Sequence, residues 1–448
     1  MNRVKPFHSI PGPSSWPMFG TLPYYLWGPI KKYDFKRLDK NGLSKYNEFG
    51  PIVRENIAPG TNIVWLFDPD DIQKMFQYDG QCPARRSHLA LQKYRRDRPH
   101  LPLNVPKALD IFQDPFQGIA SEFVETISPG TQEDFLEDLK RYFVEITGFF
   151  TLDTRLGALS QDGKNENSLS SILIRSAFQT NSNILLTDNS LPLWKIFETK
   201  EYKALRESQG QIEMIALEFI RSKKESLSRK DKTDKYTLLD HYFITDNLDE
   251  KDILAMVCDS LLAGIDTSSY TSGFMLYHLA KNPETQAHLR DTIKSLPEQG
   301  LKGFSYGRAV LKGNTSSQSR FRGDRKDLPE PNAIFSGYSV PEGTVLVSQN
   351  QVSCRLKEYF EDPLDFRPER WLNKTQKTHP YLILPFGFGP RMCIGRRIAE
   401  MSILHLLKEL IMKYEIELRD PGLELGCISY LINSPDQPLC LEFKKIKY

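Results

Sequence analysis

The sequence predicts a mainly α-helical protein with small β-sheets. Long segments repeat apolar residues at helical spacing, alternating apolar–polar runs are confined to a few short patches, and proline- or glycine-bearing turns separate them.

IPGPSSWP, from Ile10, is a proline-rich entry. PIVREN and TNIVWLF alternate apolar and polar residues across an APG turn, which predicts a hairpin. DPDDIQKMFQ opens with Asp68 and Pro69, a helix-start signal. Helical periodicity runs from Asp134 to Phe150 and from Gln209 to Lys224. RSKKESLSRKDKTDK is a charged connector, and its basic run reads as a solvated loop rather than a binding patch. Asp249 to Leu279 is a long, largely apolar helix pattern, expected to be buried among other helices. IAEMSILHLLKELIMKY predicts an amphipathic helix, and YEIEL at Tyr414 a strand. With no internal repeat and no clean linker, residues 10–448 read as a single domain.

Composition narrows the function classes. A net charge of +2 over 448 residues gives no global reason to expect nucleic acid. Six cysteines (82, 258, 354, 393, 427 and 440) are scattered without a CxxC pair or zinc spacing, which points to a reducing compartment rather than a disulfide scaffold. No run approaches the roughly 18–20 apolar residues that span a bilayer. The start, MNRVKPFHS, carries Arg3 and Lys5, and the first acidic residue is Asp34. Residues 1–9 are compatible with the remnant of a mitochondrial targeting segment; the bland alternative is a frayed terminus.

FGFGPRMCIGRR, residues 386–397, places Cys393 in a glycine-rich turn before a helix. Gly387, Gly389 and Gly395 permit left-handed turns and close backbone approach. Free N–H groups and the dipole at a helix start favour a thiolate. Such a thiolate serves as a nucleophile, a zinc ligand or an axial haem ligand; a structural buried cysteine is the bland alternative. Zinc needs three further ligands, and none is spaced nearby. Haem needs only this one ligand plus cations for its propionates, and Arg391 stands close by.

Phe386, Gly389, Arg391, Cys393 and Gly395 fit FxxGxRxCxG, followed by Ala399, and in this the chain resembles the cytochrome P450 monooxygenases. The resemblance implies the cytochrome P450 fold and haem b (iron protoporphyrin IX). It implies Cys393 as the iron's axial thiolate ligand, Arg391 facing a propionate and Phe386 packed beside the sulfur. LLAGIDTSSY, in the long apolar helix, resembles that family's oxygen-binding pattern at Ala263, Gly264, Asp266, Thr267 and Ser268. Gly264 would leave room above a flat cofactor. Thr267 can bond back to a carbonyl and open the helix locally. The resemblance assigns Asp266 and Thr267 to proton delivery onto dioxygen. FRPERW, residues 366–371, resembles the family's meander motif, where Arg370 has a structural role, locked against a Glu and an Arg of an ExxR helix.

RRSHLALQKYRRDRP, LLAGIDTSSYTSGFMLYHLAKNPE and IFSGYSVPEGTVLVSQNQVSCRL resemble the mitochondrial branch of the family, and most nearly the insect ecdysteroid 22-hydroxylases of moulting-hormone synthesis. That resemblance implies a steroid substrate, electrons from an acidic mitochondrial ferredoxin with an NADPH-dependent reductase upstream, and a place on the matrix side of the inner membrane, at most peripherally associated. Lys312, Arg396 and Arg397 are candidate ferredoxin contacts.

Two departures from the family pattern stand out. No tryptophan lies between Trp65 and Trp194, so the WxxxR motif that holds haem propionates is missing, and RDRPH jumps through LPLNV to PKALDIF as if residues were deleted near 100–106. The ExxR helix is also missing: after RAVLK the chain reads GNTSSQSRFRGDRKD, a polar run without helical periodicity, and 313–328 looks aberrant. A shifted reading frame within the Gly313 codon permits Glu-Thr-Leu-Arg there, which would restore ExxR. Without both motifs Arg370 is expected to lose its partners, and an inactive or haem-poor relative is the alternative to a working hydroxylase.

Overall fold

The computed structural model describes residues 4–58, 60–78, 88–94, 110–189, 192–227, 237–245, 248–297, 300–317, 325–327, 333–372 and 378–446. Arg3, Cys82, the junction near 100–106 and residues 318–324 and 328 of the aberrant segment lie outside them.

Helices α1 (Pro23–Leu26), α2 (Leu38–Phe49), α3 (Pro69–Gln77), α4 (Leu89–Tyr94), α5 (Gln113–Thr126), α6 (Phe135–Leu152) and α7 (Leu169–Asn189) come first. They are followed by α8 (Lys200–Leu227), α9 (Leu238–Ile244), α10 (Glu250–Lys281), α11 (Pro283–Lys294), α12 (Ser305–Ser317), α13 (Asn350–Ser353) and α14 (Arg396–Lys413). The strands are short: β1 (Ile52–Ala58), β2 (Thr61–Leu66), β3 (Gly130–Gln132), β4 (Arg325–Asp327), β5 (Ala333–Phe335) and β6 (Tyr338–Val340). β7 (Val345–Ser348), β8 (Tyr414–Leu418), β9 (Cys427–Ser429), β10 (Asn433–Pro435) and β11 (Leu441–Lys445) complete them. The chain divides into two compact units, one of Met1–Ser87, Lys312–Cys393 and Cys427–Ser434, the other of His88–Leu311, Ile394–Gly426 and Pro435–Tyr448.

The first unit is built on the sheet β1-β2-β7-β4. The predicted hairpin forms, with Val53 opposite Trp65, and β7 joins β2 in parallel with Val347 opposite Trp65. Period-two alternation feeds two apolar layers. Val53, Trp65 and Val347 pack with Leu38 and Phe67, while Ile52, Val64, Leu66 and Leu346 pack with Ile10, Ile72, Phe76 and Phe335. Asp68 caps α3 as predicted, its carboxylate accepting the Asp70 and Asp71 N–H groups at 2.9 and 3.1 Å, with Pro69 in the first turn. Between α2 and β1 a buried ion pair forms. Lys45 Nζ lies 2.8 Å from Glu55 Oε2, and Thr21, Tyr25 and Trp65 donate to the same carboxylate.

Two expectations need correction in this unit. From Val4 onward the N-terminal stretch is not frayed: Lys5 N–H donates to Gly337 O and Ser339 N–H to Lys5 O, both at 2.9 Å, and Ile10 is buried in the apolar layer. Nor does the helix stop at Lys312. The polar run predicts none beyond it, yet α12 continues to Ser317 and residues 325–327 form β4 against β7. Gly313 and Asn314 are buried, Gly313 beside Phe366 and Trp371, so packing overrides weak helix propensity.

The second unit is helical around α10. Asp249 and Asp252 form its capping box, and most of its side chains are buried, as the apolar pattern predicts. α6 starts at its cap Asp134, whose carboxylate accepts the Leu136 N–H at 3.2 Å. The connector is partly helical, because α8 runs to Leu227 before the described residues stop. α14 is not simply amphipathic. Ile398, Met401, Leu404, His405, Leu407, Lys408 and Ile411 are all buried, which encloses it on nearly every side. A three-stranded sheet, β3-β11-β8, closes this unit.

Candidate active site

The loop before Cys393 is held from below in the first unit. Asn350 Nδ2 donates to Tyr381 O at 2.5 Å and Leu382 O at 3.1 Å. The Phe388 ring stands 4.9 Å from Tyr381 and 5.8 Å from Phe76, centroid to centroid. Gly387 and Gly389 adopt φ of 71° and 74°, the left-handed region that favours glycine. Gly395 does not share it: at φ −78° it is the residue before α14, so its conformation asks nothing special of glycine. The turns bring the Cys393 N–H to Phe386 O at 2.8 Å and the Met392 N–H to Gly389 O at 3.0 Å. Phe386, Gly389, Arg391 and Cys393 are thereby gathered on one short loop.

The setting of Cys393 differs from that of Cys258, Cys354 and Cys427; Cys440 is also half-buried, and its Sγ donates to Glu133 O at 2.7 Å. Cys258, Cys354 and Cys427 are buried at 2–3% exposure, and burial raises the Cys354 and Cys427 thiols to about 12. Cys393 is only half-buried, and Arg391 is exposed. Phe388, Met392 and Ile394 flank it at 44%, 47% and 41% exposure. An accessible thiol set among exposed apolar side chains, with a cation two residues away, fits the haem implied by the signature. The described residues contain no cluster of His, Cys, Asp and Glu able to hold a metal ion instead.

In the second unit α10 carries the other predicted residues. Its burial lapses along one stripe: Asp259, Ser260, Gly264 and Thr267 are half-buried and Ala263 is exposed, positions that recur at helical spacing. Thr267 Oγ1 donates to Ala263 O at 2.6 Å, the predicted back-bond, and the helix nevertheless runs on without a break to Lys281. Gly264 also has a packing role. A Cβ there would lie 2.6 Å from Thr147 Oγ1, so its smallness admits α6 beside α10.

Asp266 is buried, at 1% exposure. Its Oδ2 accepts from Asn181 Nδ2 of α7 at 3.0 Å, and its Oδ1 has no hydrogen-bond partner among the described residues. Burial raises the carboxyl to about 6 against the lowering influence of the Asn181 amide and Lys140. Asn181 and Thr147 escape sequence reasoning. Thr147 leaves no signal, and Asn181 leaves only a polar cluster, QTNSN, between two apolar-bearing stretches of its helix.

Arg370 corrects a further expectation. It is not stranded: its guanidinium donates to Glu361 O at 3.1 Å, Asp362 O at 3.0 Å and Asp365 O at 3.3 Å. A chain folded back on itself supplies carbonyls where an acidic partner is missing. Of the candidate ferredoxin contacts, Arg396 pairs with Glu400 at 3.0 Å and the Lys312 ammonium sits 4.6 Å from the centre of the Trp371 ring, while Arg397 is exposed.

Comparison with known proteins agrees with these features. The family profile "Cytochrome P450" matches residues 10–302 and 326–425. The Drosophila melanogaster protein named "Cytochrome P450 302a1, mitochondrial" is 38% identical over 476 aligned positions, covering 98% of this chain and 96% of the fly protein. The Rattus norvegicus protein named "1,25-dihydroxyvitamin D(3) 24-hydroxylase, mitochondrial" is 26% identical, covering 96% of this chain and 88% of the rat protein. A profile match over most of the residues, a relative this similar along nearly the whole length and a thiol presented from a two-glycine turn lead to one conclusion: the chain belongs to the cytochrome P450 family of haem-thiolate monooxygenases.

Proposed function

We propose that this protein hydroxylates a steroid of the ecdysteroid-precursor class in mitochondria, on the matrix side of the inner membrane, with electrons from an acidic ferredoxin. The observation that carries the reading is the presented thiol of Cys393 in a chain whose relatives are named mitochondrial. Bound haem supplies dioxygen activation, so that one oxygen atom enters the substrate. Cys393 is the residue that would ligate the iron, Phe386 would pack beside the sulfur, Gly389 shapes the turn, and Arg391 would meet a propionate. Asp266 and Thr267 hold protons beside the open stripe of α10, and Gly264 lets α6 brace that stretch. Arg397 is the favoured ferredoxin contact, because Arg396 and Lys312 already have partners. No described helix is long and apolar enough to cross a membrane, so any inner-membrane association is peripheral in this reading.

The test is reconstitution. Reduced protein should give the carbon monoxide difference band of thiolate-ligated haem. Ferredoxin, its reductase and NADPH should yield a hydroxylated product from one member of an ecdysteroid-precursor panel. A thiolate band with no product from any steroid would sink the substrate assignment.

A second reading, a haem-poor relative, has its own support. The family match skips residues 303–325, and the alignment to the fly protein runs over 476 positions where this chain has 448 residues. The skipped stretch falls where the ExxR motif is missing, and we take the extra aligned positions to include the missing WxxxR segment. We read both gaps as a damaged or misread gene. Sequencing the transcript across the codons for Lys312 to Leu328 tests it, and an in-frame message with these residues refutes it. Expressing this chain beside a version with both segments restored separates the two readings. Equal haem content and equal melting temperature would show the motifs dispensable.

A further inference from the structure

We infer that Asn181 is a positioning residue: its side-chain amide anchors one carboxyl oxygen of Asp266 and thereby favours the acid's proton on the other oxygen, Oδ1. The inference rests on the reading of Asp266 as an acid of the proton path.

The geometry is specific. Asn181 and Asp266 are buried at 7% and 1% exposure, on α7 and α10. Nδ2 lies 3.0 Å from Oδ2, while Oδ1 is buried without a partner among the described residues. A neutral carboxyl group carries one O–H. A proton on Oδ2 would present the Asn181 N–H with a hydroxyl oxygen, a poorer acceptor than a carbonyl, across the same 3.0 Å. The amide therefore favours the proton on Oδ1, with Oδ2 the acceptor in both protonation states.

The electrostatics agree. Burial pushes the carboxyl up, Glu137 of α6 adds to the rise, and the Asn181 amide and Lys140 of α6 oppose it. An N–H donor stabilises the ionised form more than the neutral one, so Asn181 tunes the acid as well as orienting it. The outcome is an acid whose ionisation falls near 6, where a proton is both held and released close to neutrality. A simple packing role for Asn181 would predict loss of stability on substitution and no change in the acid.

The experiment reads the carboxyl itself. In the full-length protein, infrared difference spectra follow the carboxylic C=O stretch of Asp266 from about pH 4 to about pH 8, with Asp266→Asn as the blank. The native midpoint is expected near 6. In Asn181→Leu, close in size but without donors, the midpoint should rise by about one pH unit or more, and the C=O band should shift as its hydrogen bond is lost. Asn181→Ala serves if the leucine variant does not fold, and the same rise is expected. An unmoved midpoint and band in a folded variant overturn the inference, whatever turnover does. Product yield per NADPH in Asp266→Asn is a separate arm: unchanged yield overturns the reading of Asp266 as an acid of the path, even where the Asn181 shift is seen.

Discussion

The indole nitrogen of Trp371 lies 3.4 Å from where a Cβ on Gly313 would sit, and that nitrogen is buried without an acceptor among the described residues. A donor left in this way is costly, and a glycine inside a helix loses about 0.5–1 kcal/mol relative to alanine. Both deficits meet at one position. Gly313→Ser supplies a hydroxyl acceptor and a better helix former, while Phe366 Cε2, 3.2 Å from the new Cβ, must yield a few tenths of an ångström. The expected result is a gain of about 1 kcal/mol in denaturant unfolding. Gly313→Leu, which fills the space but offers no acceptor, should gain less or lose. A leucine variant as stable as the serine variant counts against the indole as the cause.

Cys393→Ser should remove the thiolate signature from the carbon monoxide difference spectrum, because an alcohol is a weaker and less anionic ligand. The Cys393 N–H to Phe386 O bond does not depend on sulfur, so the loop should keep its shape. Melting within about 0.5 kcal/mol of the parent haem-free protein is expected. Survival of the red-shifted band would identify another ligand.

Thr267→Ala loses the hydroxyl that bonds to Ala263 O but leaves α10 intact, since such a back-bond adds little to a helix. Stability should change by less than about 0.5 kcal/mol. Product per NADPH should fall several-fold, with hydrogen peroxide rising in compensation, and Thr267→Ser should restore coupling. Flat peroxide release in the alanine variant contradicts the assigned role.

Two buried groups act on acid stability in opposite senses. His405, fully buried with Nε2 3.0 Å from Gln113 Oε1, is held down to about 4, first by burial and then by Lys408, against the pull of Asp114. Its unfolded form binds a proton from about pH 6.5 downward, so between about 6.5 and 4 it removes stability as pH falls. Asp266, raised to about 6, binds its proton earlier in the fold than in the unfolded chain, so from about 6 down to 3.8 it adds stability as pH falls. The two partly cancel. Asp266→Asn removes the second, and its stability should fall more steeply than the parent's between about pH 6 and pH 4. Parallel curves from denaturant titrations across that window would show that Asp266 does not titrate there.

The elements easiest to read from sequence were those whose residues settle matters locally. Asp68 and Pro69 announce α3, the apolar pattern from Asp249 to Leu279 announces α10, and the alternation around the APG turn announces a hairpin, because caps and periodicity act within one or two turns. The Cys393 loop was legible because its glycines and cysteine are close in sequence. Asn181 and Asp266 are 85 residues apart, and nothing in either neighbourhood names the other. The same limit explains Arg370. Its loss of partners follows from motif logic, whereas its three carbonyls arise from how residues 361–365 fold back, which no residue type announces.

β7 pairs with β2 across nearly three hundred residues, and β11 pairs with β3 across more than three hundred. Each unit is therefore woven from distant stretches of chain, and neither is finished while the polypeptide is still emerging from the ribosome. β2 must wait for Val345–Ser348, and Gly130–Gln132 for the last strand. A nascent chain of this kind exposes sheet edges for most of its synthesis, the condition under which incomplete chains are prone to aggregate. It also means that a cut at one loop cannot release either unit whole. A premature stop after Lys312 would leave both units without segments they need rather than yield a working fragment.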